Sequence, residues 1–382
     1  MSGRRANGEG TVYLRSDGRW VGSAYVPIRG GRRVRRSVYG RTREDTHRKL
    51  TALLRQAHQG LPAAEGNWTV ERYLRYWLDE VVRHESRPAT LATYRKIVER
   101  FILPRLGRKR LDRLTPQDVR LLINACRDER RTDGELVSVR TVQMVHAVLR
   151  NAVQHAFNEE IVPRNVVKLV KVASPSYEVG TGLSVEQARS LLQRLKTDRL
   201  WSLYVLALAL ALRKGELLGL RWIDIDLALG QLHVRQAAQR VGGVLRFDAP
   251  KTRRSRRTIP LPGFCVDALR ERKALQAKDR LATGSAWVDS GLVFTTRIGT
   301  PIEPRNLNRH WHVTREAAGL PTVRFHDLRH TCVTLLLDMN VPPHIVQAIA
   351  GHSGLEVTMT IYAHASQEEQ RRALQGLSDR LA

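Results

Sequence analysis

Acidic residues are scarce in this chain. Across 382 residues, 37 Asp and Glu stand against 64 Lys and Arg, a formal charge of +27 with a pI near 11.1. Such an excess destabilises a compact state by self-repulsion and is kept for a polyanionic partner. Nucleic acid leads, and an anionic membrane surface comes second, without a basic amphipathic helix at either end to support it. Cysteine is rarer still. Cys126, Cys265 and Cys332 are isolated, make no CxxC pair and no disulfide framework, and fit a reducing, cytoplasmic setting. The opening residues, Met1 to Gly8, hold no apolar core of a signal peptide. Long hydrophobic runs are missing too: the longest, Trp201 to Leu212, is interrupted by Ser202 and is too short for a bilayer. Gly180-Thr181-Gly182 has no third glycine and no preceding strand, so it is no nucleotide fingerprint.

What remains is a folded, multidomain chain. A hydrophobic content of 42% is ordinary for globular protein, and the length suggests two or three domains. Residues 1–60 read as a small module of three β-rich runs and one helix. Ser16-Asp17-Gly18 and Arg29-Gly30-Gly31 supply its turns, and Thr42 caps a helix from Arg43 to His58. Arg15, Arg19, Arg32, Arg33, Arg35 and Arg36 are interleaved there with Tyr13, Trp20, Tyr25 and Tyr39. This pattern points to DNA contact over the alternative of a solvated charged face around an aromatic core.

Residues 67–172 read as an all-α, four-helix domain. The first helix carries Val70, Tyr73, Leu74, Trp77, Leu78 and Val81, and Pro88 opens the second. Thr115-Pro116 starts the third, and Val142 through Phe157 form the apolar face of the fourth. Arg95, Lys96 and Arg140 are expected on its surface, facing DNA. Residues 182–382 read as a mixed, mainly helical α/β domain. Ser184 caps its first helix, and a buried helix from Trp201 ends at Arg213. Gln231 to Arg240 and Val244 to Phe247 form a hairpin about Gly242-Gly243, with a third strand at Thr258. Helices resume from about Asn306. Lys251 then lies in the loop leaving the hairpin, beside Arg253 and Arg254, two more candidate DNA contacts.

Six residues carry the chemistry: Arg213, Lys251, His326, Arg329, His352 and Tyr362. Two guanidinium forks, an ammonium, two imidazoles and a phenol suit a phosphodiester better than a carbonyl, a sugar or a redox centre. Paired arginines match phosphate oxygens bidentately and neutralise charge in a transition state, and a phenol forms a phosphate ester. Nearby cations and an imidazole lower the cost of making phenolate. Glu216, three residues beyond Arg213, offers the competing structural ion pair. His326, His330 and His352 also resemble metal ligands. Arg329 between them would repel a cation and no Glu stands beside His326, so no metal and no other cofactor is expected.

The runs Leu212-Arg213-Lys214-Gly215-Glu216, Pro250-Lys251-Thr252, His326-Asp327-Leu328-Arg329-His330 and Gly351-His352, followed by Tyr362, resemble the tyrosine recombinases, specifically integrases of temperate phages and integrative elements. The likeness covers residue 182 to the C-terminus. The helical domain is similar to the family's core-binding domain and the N-terminal module to its arm-binding domain. One departure is Leu210-Ala211, where the family often has Thr-Gly. The resemblance implies attack by Tyr362 on DNA, a 3′-phosphotyrosyl link and a free 5′-hydroxyl. It gives Lys251 the protonation of the leaving oxygen, and His326 and His352 the positioning of phosphate and assistance in proton transfer. It also implies double-stranded DNA with core and arm sites as substrate, a homotetramer on DNA, and a bacterial host. A DNA-bending protein and an excisionase are candidate accessories, and Ser366 to Leu381 is a candidate helix for docking on a neighbour. Rival readings are a non-catalytic DNA-binding regulator, a metal-dependent nuclease and a type IB topoisomerase.

Overall fold

The computed structural model describes residues 10–27, 33–58, 68–173, 182–250, 255–351, 354 and 375. The chain divides into two compact units, residues 1–176 and 177–382. In the first unit, strands β1 (Thr11–Leu14), β2 (Trp20–Pro27) and β3 (Arg33–Gly40) form an antiparallel sheet in sequence order. The expected turn at Ser16-Asp17-Gly18 is present, with Gly18 at φ 78°. The Arg29-Gly30-Gly31 turn lies outside the described residues. Helix α1 (Arg43–His58) starts where Thr42 Oγ1 accepts the Asp45 amide at 3.1 Å. It covers one face of the sheet, with Thr46 and Leu50 packed over Gly22.

Strand alternation then decides which side chains remain open. Tyr13, Val21 and Tyr39 lie across from one another, and Tyr25 faces Arg35. Tyr13, Tyr25 and Tyr39 are 46, 67 and 51% exposed, so they do not form the module's core.

The helical part has the four rods expected of it. The first runs from α2 (Val70–Tyr76) through a wider π turn to α3 (Arg83–Glu85). The second runs from α4 (Pro88–Ile97) through another π turn to α5 (Leu103–Leu106). The third is α6 (Pro116–Asp128), where Thr115 and Asp118 form a reciprocal capping box, and the fourth is α7 (Val139–Asn158). Tyr73, Leu74, Trp77 and Leu78 interlock with Phe101, Ile102, Val145 and Leu149 in one apolar core. Phe157, expected on the buried face of the last helix, is 42% exposed.

The second unit opens with α8 (Val185–Arg194), capped by Ser184 and Gln187 as expected. Helix α9 (Trp201–Ala209) is buried nearly all round and packs against the helices Gly263–Thr283 and Asp327–Asp338. It is followed by α10 (Lys214–Leu218) and strands β4 (Ile225–Asp226), β5 (Gln231–Val234), β6 (Ala237–Val241), β7 (Val244–Asp248) and β8 (Arg257–Pro260). Helices α11 (Gly263–Thr283), α12 (Pro304–Ala317), α13 (Asp327–Asp338) and α14 (Pro343–Ala350) follow.

Three expectations change here. Helix α9 ends at Ala209, not at Arg213, because Ala211 turns left-handed at φ 48°. The run Gln231 to Arg240 is two strands, since β5 pairs with β4 and β8 whereas β6 pairs only with β7 among the described residues. The β6–β7 hairpin does turn at Gly242-Gly243, both with positive φ. Helix α11 falls in a stretch where the sequence pattern marks no element. Its buried side chains, Cys265, Val266, Ala268, Leu269 and Arg272, cluster in the first half, so apolar periodicity fades along its length.

Candidate active site

Arg213 sits at the start of α10, not at the end of α9. The left-handed turn at Ala211 carries the chain out of the apolar core, and the Arg213 side chain is 38% exposed. Glu216 reaches back to the Arg213 amide at 3.0 Å and takes Arg213 Nη1 at 2.8 Å. Arg213 Nη2 donates to the Gly351 carbonyl at 3.0 Å. The glycine between them has a packing reason: a Cβ at Gly215 would meet the Ala238 carbonyl of β6 at 2.7 Å. The structural ion pair posed by the sequence is therefore real, and it orients Arg213 without covering it.

Helix α13 supplies the second arginine. Asp327 accepts the Arg324 amide at 2.7 Å and holds its guanidinium, which fixes the turn containing His326. Arg329 points inward, is 3% exposed, and gives Nη1 to the Ala211 carbonyl at 2.5 Å. Its Nη2 is buried with no hydrogen-bond partner among the described residues. Burial, then the charge of Arg213, pushes the Arg329 guanidinium down to about 9. It stays cationic at neutral pH and forms no salt bridge among the described residues, with only the shared charge of Glu216 to offset it.

Glu216 is 4% exposed and is the carboxylate felt by Arg213, Arg257 and Arg329 together. Burial alone would raise it, but the charges and hydrogen bonds of Arg257 and Arg213 override that and hold it below the usual carboxylate range. Three guanidiniums around one carboxylate leave an excess of positive charge, and that excess calls for an anion.

His326 lies at the N-terminal boundary of α13, its ring 4.9 Å from that of His330 and nearly perpendicular to it. Desolvation, then His330 and Arg329, holds its imidazole down at about 4. Its surface is exposed, so solvent moderates the burial contribution, whereas the neighbouring cations act in the same direction. His326 is neutral at neutral pH and can accept a proton or donate one N–H to a phosphate oxygen. His330 is also held below its ordinary value, by burial and by Arg329 and Arg324, and its Nδ1 has no partner among the described residues.

Arg213, His326 and Arg329 are thus placed by the second unit's helices. Lys251, Arg253, Arg254, His352 and Tyr362 lie outside the described residues, as does the Ser366 to Leu381 segment apart from Gln375. Arg257 is a functional candidate that the sequence analysis does not single out: its side chain is 6% exposed and pairs with Glu216 at 3.1 Å. Strand alternation held the signal, because Ile259, two residues on, is buried on the same face.

The candidate DNA contacts separate by placement. Arg19 and Arg35 are exposed, and Arg35 also bonds Ser23 Oγ at 3.0 Å. Arg15 lies 3.7 Å from Asp17. Arg36 stands opposite Ala24 on the α1 side of the sheet, its Nε buried, so it is not on the open face. Arg33 opens β3, and Arg32 lies outside the described residues. Lys96 and Arg140 are exposed, whereas Arg95 is paired with Asp79 at 2.7 Å. Arg140 also lines a groove of about 510 Å³ with Arg150, Lys168 and Lys171, and no acid among the described residues borders it. Among the described residues no helix is long and apolar enough to cross a membrane.

Known proteins are similar to this chain in sequence and in fold. Residues 182–369 match the phage integrase family, and residues 69–126 match its N-terminal SAM-like domain. An integrase of Streptomyces ambofaciens is 30% identical over 95% of this chain and 94% of its own. A tyrosine recombinase XerC-like protein of Caldanaerobacter subterraneus is 28% identical over 91% and 93%. In fold, the Tn1549 transposon integrase, solved with circular intermediate DNA, superposes with a TM-score of 0.67 over 81% of this chain and 99% of that one at 21% identity. The lambda integrase tetramer bound to a Holliday junction gives 0.58 over 94% and 96% at 17% identity. Near-complete coverage at 30% identity, joined to the arginine pair about Glu216, decides the matter: the chain belongs to the phage integrase family and is a tyrosine recombinase that carries out site-specific DNA recombination.

Proposed function

We propose that this integrase cuts and rejoins DNA through Tyr362, with Arg213 and Arg329 holding the scissile phosphate. The observation that carries the reading is the cation excess around Glu216, with a buried Arg329 Nη2 that has no partner among the described residues. Tyr362 Oη attacks phosphorus, the P–O5′ bond breaks, and Lys251 gives the departing 5′-oxygen a proton. Neutral His326, with His352, orients the phosphate and assists removal of the phenol proton. The 5′-hydroxyl of a partner strand then attacks the 3′-phosphotyrosyl ester and releases Tyr362. The ester conserves the bond energy, so rejoining needs no external energy source.

In this reading residues 182–382 are catalytic and residues 67–172 bind the core site, with the acid-free groove of Arg140, Arg150, Lys168 and Lys171 on the phosphate backbone. Residues 1–60 bind arm sites through the open sheet face. Four protomers act on two duplexes, an assembly supported by the lambda integrase tetramer on a Holliday junction. A DNA-bending protein and an excisionase are the accessory partners to seek.

A nicked suicide substrate carrying the core site, incubated with EDTA, tests the chemistry. A covalent protein–DNA adduct is expected, and it should vanish in Tyr362→Phe. Undiminished adduct in that variant would overturn the assignment, and a metal requirement would restore the nuclease reading.

A further inference from the structure

Arg257 opens β8, three residues after the stretch carrying Lys251, Arg253 and Arg254. Its position suggests one more exposed cation for DNA. The geometry is the reverse. Nη2 meets Glu216 Oε2 at 3.1 Å, and Nη1 meets Glu216 Oε1 and the Ser255 carbonyl, each at 3.3 Å. Nε donates to the Ile349 carbonyl at 2.7 Å, in the last turn of α14. Gly351, one residue before His352, lies flat against the guanidinium: a Cβ there would sit 2.9 Å from Nη1. Gly351 also has φ 66° and accepts Arg213 Nη2 through its carbonyl. A single buried guanidinium thus touches Glu216, the chain leading back to Lys251 and the chain leading on to His352.

We infer that Arg257 is a positioning residue for strand cleavage, fixing Glu216 and therefore Arg213 in register with the segments that carry Lys251 and His352. This rests on the catalytic reading proposed for those three residues. The fork is needed because one planar group must serve a carboxylate on one side and the Ile349 carbonyl on another. An ammonium on a flexible stem can pair with Glu216 but cannot hold all of these bonds at once. Arg257 itself is too enclosed to meet DNA, so its effect passes through the groups it aligns. A misplacement near 1 Å in such a set costs about a hundredfold in rate.

The full-length protein supplies the test, with Arg257→Met and Arg257→Lys measured beside wild type and Tyr362→Phe. Core-site binding is followed by gel shift, folding by thermal melting, and cleavage by single-turnover adduct formation at saturating protein. The expected result is binding within about threefold of wild type, with cleavage slowed about a hundredfold in Arg257→Met and only partly restored in Arg257→Lys. Combining Arg257→Met with Arg213→Lys should cost much less than the product of the two single losses, because both act on one unit. A lower melting temperature with wild-type cleavage at saturation would make Arg257 a purely structural ion pair and overturn the inference. If Arg257→Met does not fold, Arg257→Lys alone decides: wild-type cleavage by it also refutes the need for the fork. Adduct in Tyr362→Phe would instead sink the catalytic reading, whatever Arg257 does.

Discussion

Ala211 is the residue on which the geometry of Arg329 turns. Its φ of 48° puts a residue with a side chain where glycine is favoured, and its carbonyl receives Arg329 Nη1. A left-handed alanine costs roughly 1–2 kcal/mol. Replacing it by glycine would recover that amount, but would give back about 0.5–1 kcal/mol in chain entropy. It would also lose about 0.8 kcal/mol for the methyl group, since the site is fully buried. These contributions nearly cancel. Ala211→Gly is therefore expected to stay within about 1 kcal/mol of wild type. Ala207→Gly, equally buried but inside α9, should lose about 2 kcal/mol, the sum of helix propensity and burial. Denaturant midpoints of the two variants make the comparison. Equal losses would mean that Ala211 bears no strain. Its backbone turn was illegible in the sequence because Leu210-Ala211-Leu212 contains neither glycine nor proline and reads as more helix.

At the scale of elements, alternation along β3 separates two adjacent arginines that composition treats alike. Arg35 shares the open face with Tyr25, whereas Arg36 lies opposite Ala24 towards α1. If the open face meets phosphate, Arg35→Ala should weaken binding to arm-site DNA and reduce the salt slope by about 1. Arg36→Ala should leave the slope alone and lower the melting temperature. Matching salt slopes in wild type and Arg35→Ala would remove this face from the interface. Caps and periodic helices were the legible part of the fold: Thr42, Thr115 and Ser184 all start helices where expected. Pairing between distant strands was not legible. Nothing local to Gln231–Arg240 says that its first half will join β8 and its second half β7. The same limit hid Arg257, whose partner Glu216 is 41 residues away in sequence, while Arg213 with Glu216 and His326 with Arg329 fall within one helical turn and could be read directly.

The charge of the whole molecule ties these pieces to one partner. An excess of +27 along the chain, if shared among the three modules proposed above, implies phosphate contacts that add in number while remaining separable in space. Each neutralised phosphate steepens the fall of log affinity with log salt by about 0.9. Removing residues 1 to 60 should therefore leave a shallower slope on DNA carrying both arm and core sites. On core-site DNA alone, the slope should be the same with and without the module. Cleavage of a core-site suicide substrate should persist at saturating protein, because Arg213, His326, Arg329 and Tyr362 all lie beyond residue 182. Recombination between arm-bearing sites should fall sharply, since a shortened chain can no longer hold two separate DNA segments together. Filter binding from 50 to 200 mM salt, set beside adduct yield and recombination yield, separates these outcomes. Unchanged salt slopes on both DNAs would show that the N-terminal arginines neutralise no phosphate, and the charge excess would then need another explanation.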